Sequence, residues 1–429
     1  MTVHTVKTRH GGTAAALTAS ERAGLNELLA TMVRAYRAAP DGSMDNTALY
    51  AKLGDPSALE QKKPIGSDRA LHSPAKRAVR WQQQTLKHLG LLERVPGKRG
   101  VWRCKAGNDL TAAAPSVTLL AYSTKFGLAI WGSNSDFFGG FTEKIALVLT
   151  SPPYPLQRPR AYGGPTEETV VDFICHAFEP LVRNLLPGGS IALNISNDIF
   201  LKGTPARSMY VERLTLAMHD RFGLSLMDRL VWNNPCKPPG PLAWASRSRQ
   251  QLNAGYEHVL WFTNDPSKCF ANNRRVLQPH TEKHLKFVAC GGAKRTATYG
   301  DGAYALKLGS YSKPTLGSIP RNVMTMPSGG QANSALRTTA LAAGLPAHGA
   351  LMPLALPLFL IEFLTDPDKD HLVVDPFGGW NRTGLAAQQL GRPWITTEIM
   401  AQYAAASAAD FQSYEGFEQF FELEQRHAA

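Results

Sequence analysis

The sequence predicts an α/β protein: a doubly wound, mainly parallel sheet, preceded by a winged helix-turn-helix and interrupted by a basic insertion. Three observations carry this reading. From about residue 116 strand-like apolar runs alternate with helical segments, the pattern of a sheet covered by helices on both faces. Before residue 110, amphipathic segments lead into a short hairpin with a basic tip. Between residues 265 and 345 the alternation gives way to a Gly-rich, polar stretch with little periodicity.

Residues 1–110 supply the first unit. TASERAGLNELLATMVRAYR, from Thr18 to about Arg37, has apolar residues at helical spacing, with Thr18 or Ser20 as N-cap. A second helix is predicted over Asn46 to Leu53. A third opens at Ser73-Pro74 and runs AKRAVRWQQQTLKHLG, with Ser73 as cap, Pro74 in the first turn and Gly90 as terminator. LLERVPGKRGVWRC then reads as two short strands joined by Pro96-Gly97-Lys98-Arg99-Gly100. In a winged helix the third helix, with Lys76, Arg77, Arg80 and Lys87, enters a major groove while Lys98 and Arg99 touch phosphate. The small, polar residues 105–116 form the linker.

Beyond the linker, strands are predicted at KIALVLT (144–150), GSIALNIS (189–196), SLMDRLVW, EHVLWFT, HLVVDPF (371–377) and PWITTEI (393–399). Helices are predicted over TEETVVDFICHAFEPLVRNLL, residues 207–222 and RTGLAAQQLG (382–391).

Charge points to a polyanionic partner. The net charge is +12, yet residues 1–110 hold +9 and residues 265–345 hold +8, leaving the remainder at −5. Two basic segments flanking an acidic scaffold suggest nucleic acid. Candidate contacts are Lys237, Arg247 and Arg249 in CKPPGPLAWASRSRQ, and Arg274, Arg275, Lys294, Arg295 and Arg321 in the insertion. Most are expected on phosphates, where they position the protein without reading sequence. The five cysteines are scattered, with no paired spacing for zinc or a disulfide framework. No metal is expected, and a reducing cytoplasm fits. The longest apolar stretch, Ala350 to Leu364, holds two prolines and Glu362 and is too short to span a membrane.

Two stretches carry chemistry. VVDPFGGWNRTGLAAQQLGRPWITTE has the form strand, Gly-bearing turn, helix, strand, acidic residue. Gly378 and Gly379 let backbone approach a ligand, and Glu398 is placed to accept hydrogen bonds from a ribose diol, suggesting an adenosine-bearing cofactor. TSPPY ends a strand with Ser151-Pro152-Pro153-Tyr154. Prolines fix the backbone and leave carbonyl acceptors, Ser151 adds another, and Tyr154 offers a flat ring. That set matches a planar ligand with an exocyclic amino group.

TSPPY followed by DPFGG, a Thr and an acidic strand end resembles the amino-methylating DNA methyltransferases that use S-adenosylmethionine, in the permuted arrangement with the catalytic motif first. The resemblance covers roughly residues 116–405 and includes LVRNLLPGGSIALNIS, YEHVLWF and the stretch from His348 to Ile361. Ser at the head of the turn resembles the cytosine-N4 subgroup; adenine-N6 methylation and a non-catalytic DNA-binding regulator are the alternatives. By this resemblance Ser151, Pro152, Pro153 and Tyr154 are catalytic. Asp375, Pro376, Phe377, Gly378, Gly379, Thr383, Glu398, His348 and Pro353 bind the cofactor. Residues 116–264 form the catalytic part, 265–345 the target-recognition region and 346–429 the cofactor-binding part. Transfer is direct, without a cysteine nucleophile, onto a base flipped out of double-stranded DNA. A second copy of the chain and a cognate restriction endonuclease are the candidate protein partners. Two positions depart from the family. Trp380-Asn381-Arg382 replaces a small residue and a further glycine, with Asn381 able to adopt the left-handed conformation. Ser133 replaces the aspartate that holds the adenine, with Asp136 as the nearby carboxylate.

Overall fold

The computed structural model describes residues 41–420, apart from 54–55, 65–70, 89–91, 105–111, 114, 156–163, 330 and 343–350, with scattered positions between 28 and 39. The amino-terminal unit runs β1 (Ser43–Asp45), α1 (Asn46–Leu53), α2 (Pro56–Glu60), β2 (Lys63–Pro64), β3 (Leu71–His72), α3 (Pro74–His88), β4 (Leu92–Arg94) and β5 (Val101–Cys104). β5 lies between β1 and β4, antiparallel to both. The Asp45 carboxylate accepts from the Ala48 N–H at 2.8 Å, and the Ser73 hydroxyl accepts from the Lys76 N–H at 3.2 Å. Each satisfies an amide that a first turn leaves without a partner. Met44, Leu49, Val79, Leu86, Leu92 and Trp102 fill the interior, so Arg77, Arg80, Trp81 and Lys87 of α3 face outward. The helix predicted from Thr18 lies largely outside the described residues, as do Gly90 and most of the linker; Leu28, Thr31, Met32, Ala35 and Tyr36 are helical.

There follow β6 (Thr118–Ser123), β7 (Gly127–Gly132), α4 (Asn134–Phe138), β8 (Ile145–Thr150), α5 (Val170–Arg183), β9 (Leu185–Ile195), α6 (Tyr210–Phe222), β10 (Ser225–Asn233) and β11 (Tyr256–Thr263). The basic insertion contributes α7 (Glu282–Ala289), β12 (Ala297–Tyr299), β13 (Tyr304–Leu306), β14 (Val323–Thr325) and α8 (Gln331–Ala342). The last part holds α9 (Ala355–Leu364), β15 (Val373–Asp375), α10 (Arg382–Gln389), β16 (Trp394–Glu398), α11 (Ala401–Ser407) and β17 (Glu418–Gln419).

Ten strands form one sheet in the order β14-β10-β11-β9-β8-β15-β16-β7-β6-β17. The five central strands, β9 to β7, are parallel throughout. The margins are largely antiparallel: β10 with β11, β11 with β9, β6 with β7 and β17 with β6. The parallel character expected from the sequence is therefore concentrated at the centre. Connection length explains the split, because a tight turn such as the one after β6 joins only antiparallel neighbours, whereas a helical crossover such as α5 returns the chain parallel. The insertion is not wholly separate, since β14 pairs parallel with β10 as an edge strand.

All six residues of β8 are buried, as a strand covered on both faces requires. Leu147 and Leu149 join one apolar core with α9, α10 and α11, while Ile145 and Val148 join another with α5 and α6. Val373 and Val374 of β15 divide in the same way. Where β7 meets β16, Gly127 lies against the buried Trp394 ring, and an added Cβ would sit 2.2 Å from its Cδ2. Gly127→Ala is expected to destabilise the chain by about 1–3 kcal/mol through overpacking. Urea unfolding reads this as a lower midpoint at constant slope; an unchanged midpoint would contradict the packing described.

Candidate active site

Three adjacent strands end at the same edge of the sheet, and each delivers a turn. The crossover of β8 leads through α5 to β9 on one side, and that of β15 leads through α10 to β16 on the other. The gap between β8 and β15 is thus the switch point at which open α/β sheets bind ligands. Across it the Thr150 hydroxyl donates to Asp375 Oδ1 at 2.5 Å, and the Phe377 N–H donates to the same oxygen at 2.9 Å. The Thr397 hydroxyl donates to the Pro376 carbonyl at 2.8 Å. Glu398 takes the Gly379 N–H on one oxygen and the Met400 N–H on the other, each at 2.7 Å.

Burial pushes the Asp375 carboxyl up to about 6, opposed by its Thr150 and Thr383 hydroxyl donors and the Phe377 amide. Burial also pushes Glu398 up to about 7, opposed by the Met400 and Gly379 amides and reinforced by the nearby Asp375 charge.

The departure at Trp380-Asn381-Arg382 has a clear structural form. Gly379 and Asn381 both adopt left-handed backbone, with φ of 53° and 50°. The Asn381 side chain accepts the Gly384 N–H at 2.9 Å, capping α10, and donates to the Tyr122 hydroxyl at 2.7 Å. A Cβ on residue 384 would lie 2.2 Å from Asn381 Oδ1, so glycine there makes room for the cap. The Trp380 ring is buried with Leu336, Ala340, Met400, Tyr403 and Ala406, and Trp380 also borders the cavity that the turn faces. Arg382 is buried and paired with Asp410.

Ser151, Pro152, Pro153, Tyr154, Asp375, Pro376, Phe377, Gly378, Gly379 and Glu398 all line one cavity of about 650 Å³. Thr383 lies behind the wall, its hydroxyl reaching the Leu149 carbonyl at 3.3 Å. Pro353 is buried beside the wall residues Leu351 and Met352, and His348 lies outside the described residues. Ser133, Asn134 and Ser135 line the cavity but Asp136 does not. Its carboxylate instead accepts the Ser116 N–H at 2.8 Å, which ties it to the linker. The sequence gives no signal for Phe173 of α5, which lines the cavity with its ring 5.8 Å from that of Phe377; nor does it single out the wall residue Tyr403.

Arg77, Arg80, Lys98, Arg99, Arg247, Arg249, Arg274, Lys294, Arg295 and Arg321 are exposed. Within this set Arg80 donates to the Lys76 carbonyl and Lys294 to the Cys290 carbonyl, and three other cations are only partly exposed and held inside the fold. Arg275 Nη1 donates to the carbonyls of Phe270, Phe363 and Thr365 at 3.1, 3.3 and 2.6 Å, anchoring the start of the insertion to the end of α9. Lys237 pairs with Glu257 at 3.2 Å. Lys76 pairs with Glu60 at 3.3 Å and lies over the Tyr50 ring. Among the described residues no group of three or more His, Cys, Asp or Glu is placed to hold a metal ion, and no helix is long and apolar enough to cross a membrane.

A central parallel sheet with two motif-bearing turns meeting at its switch point defines an open α/β enzyme. The DNA methylase family pattern matches residues 145–409, and the chain belongs to that family. It is 34% identical over 294 residues to the type II methyltransferase M.PvuII of Proteus hauseri, an alignment spanning 68% of this chain and 85% of that protein. It is 25% identical over 263 residues to the type II methyltransferase M.BglII of Bacillus subtilis, spanning 60% of this chain and 61% of that one. Among solved structures the PvuII DNA methyltransferase, described as cytosine-N4-specific, matches with a TM-score of 0.52 and 31% identity, over 68% of this chain and 89% of its own.

The raised carboxyls make a pH prediction. The folded chain holds the Glu398 proton more tightly than the unfolded chain does, so this contribution is full below the ordinary value of 4.5 and is lost as pH rises through about 7. Glu398→Gln is expected to flatten the fall in unfolding free energy across that window. Urea titrations at a series of pH values test this, and equal slopes for the two proteins would refute it.

Proposed function

We propose that the chain methylates the exocyclic N4 amino group of a cytosine flipped from double-stranded DNA, using S-adenosylmethionine. The observation carrying this reading is that the Ser-Pro-Pro-Tyr turn and the Asp-Pro-Phe-Gly-Gly turn with Glu398 line a single cavity. Similarity to a cytosine-N4-specific enzyme supports the choice of base. The residues present fit the cofactor. The cavity is of ligand size, Gly378 and Gly379 leave the turn without side chains, and each Glu398 oxygen uses one lone pair on an amide, leaving another for a ribose hydroxyl. The bound cofactor supplies an electrophilic methyl group on a sulfonium.

The protein's own part is to hold the amino group. Ser151 and the Pro152 carbonyl accept its two N–H bonds, drawing its lone pair out of conjugation with the ring, while Tyr154 stacks on the base. Held in this way, the amino nitrogen would take the methyl group that the bound cofactor would supply and release one of its protons to solvent. With the catalytic strand before the cofactor strand, the motif order is the permuted one. The amino-terminal unit, with a three-stranded sheet and α3, acts as a winged helix on DNA, presenting Arg77, Arg80 and Lys87 to the groove and Lys98 and Arg99 to phosphate. Residues 265–345 recognise the target, with Arg247, Arg249, Arg274, Lys294, Arg295 and Arg321 as backbone contacts. The proposed setting is the cytoplasm, with double-stranded DNA as the partner and a second copy of the chain and a cognate restriction endonuclease as the candidate protein partners.

Three measurements test this. Nucleoside analysis of DNA from cells expressing the protein is expected to show N4-methylcytosine; N6-methyladenine alone would reassign the base, and no methylated base would reject the enzyme. Ser151→Ala is expected to lower kcat on the order of 100-fold or more, the scale for losing one preorganised hydrogen-bonding group, with duplex binding retained. Replacing Arg274 and Arg295 by Ala is expected to weaken binding to all duplexes and to flatten its salt dependence by about one unit of slope per lost contact. An altered target sequence would instead mark them as base readers.

A further inference from the structure

Asn194 near the end of β9 is 1% exposed, and its Oδ1 is a buried acceptor without a hydrogen-bond partner among the described residues. Register fixes its place. Thr150 of β8 pairs with Leu193 of β9, so one step further along these parallel strands Asn194 neighbours Ser151, the head of the catalytic turn. The amide's orientation is also fixed. Nδ2 donates to Glu257 Oε2 at 3.0 Å and to the His258 carbonyl at 3.4 Å. Both partners are acceptors, so only the NH₂ end of the amide satisfies them. Glu257 is held in turn by Lys237 at 3.2 Å, with the two side chains 17% and 16% exposed. A buried acceptor left unpaired is unfavourable, and register sets this one opposite Ser151, one residue past the end of β8, whose hydroxyl lone pairs the reaction needs.

We infer that Asn194 is a positioning residue that acts through Ser151: when the target base is bound, Oδ1 accepts the Ser151 hydroxyl proton and turns the serine lone pairs toward the amino group. This rests on the methyltransferase reading. A serine hydroxyl donates and accepts at once, and it accepts an amino N–H well only while its own proton points elsewhere. Asn194 is neutral, so it orients that proton without removing it. Glu257 and Lys237 keep the amide from rotating, which gives Lys237 a role inside the protein rather than on phosphate. Catalytic hydrogen bonds that are open in the free enzyme commonly close when substrate binds.

The test compares duplexes carrying cytosine or 2-pyrimidinone, which lacks the amino group, at the target position. Wild-type protein is expected to prefer the cytosine duplex. Asn194→Ala is expected to reduce that preference about tenfold, the equivalent of 1.4 kcal/mol, and to lower kcat with the KM for S-adenosylmethionine unchanged. Asn194→Asp keeps the shape and an acceptor, so it is expected to retain more of the preference than the alanine variant while adding a new ionisation to the kcat–pH profile. Should Asn194→Ala fail to fold, the pH profile of Asn194→Asp decides the matter. Wild-type preference and kcat in the alanine variant, or a wild-type pH profile in the aspartate variant, would overturn the inference. A wild-type protein that leaves cytosine unmethylated would instead overturn the proposed function.

Discussion

The parallel pairing of β8 with β15, through Val373 with Leu147 and Val374 with Val148, brings together two turns that lie more than 200 residues apart in the chain. Neither turn has a partner without it. The Thr150 hydroxyl and the Asp375 carboxylate close the arrangement across a separation of 225 residues. Asp375 is fully enclosed, so its oxygens need donors, and the Thr150 hydroxyl and Phe377 amide that supply them also fix the directions in which both strands leave the sheet. The crossovers then diverge to opposite faces, and the cavity is the space they leave.

The same enclosure sets the electrostatics of the cavity. The Asp375 charge raises the cost of ionising Glu398; Asp375 is buried, whereas Glu398 is partly exposed on the cavity wall. A cationic ligand entering this space would favour the ionised forms, so binding and proton release are coupled. The DNA-facing surface follows different physics. Its exposed arginines act through phosphate charge and ion release, which tolerates looser geometry than the cavity does.

Much of this arrangement is legible in the sequence because the central strands are buried on both faces. IALVLT, SIALNI and LVVD must then be nearly continuous apolar runs, and such runs stand out. Asn381 is legible for a related reason, since few residues other than glycine tolerate left-handed backbone. The antiparallel margins and the return of β14 to the sheet are not legible, because they depend on pairing between distant segments. Charged side chains are the hardest to place. Arg275 and Arg274 are adjacent in the sequence, yet one of them is held by carbonyls 88 and 90 residues further on, while the other is exposed. Asn194 had a visible sign, a polar residue within an otherwise apolar strand, but its meaning depends on register with β8.

Asn381 also bears on how the cofactor turn behaves before any ligand arrives. A third glycine at that position would widen the range of backbone conformations the turn samples when unfolded, and asparagine narrows it. The side chain then fastens the turn to α10 through the Gly384 amide and to β6 through the Tyr122 hydroxyl. Much of the ordering that a flexible glycine loop undergoes on binding is completed here during folding. A ligand therefore meets a preorganised surface and loses less conformational entropy on arrival.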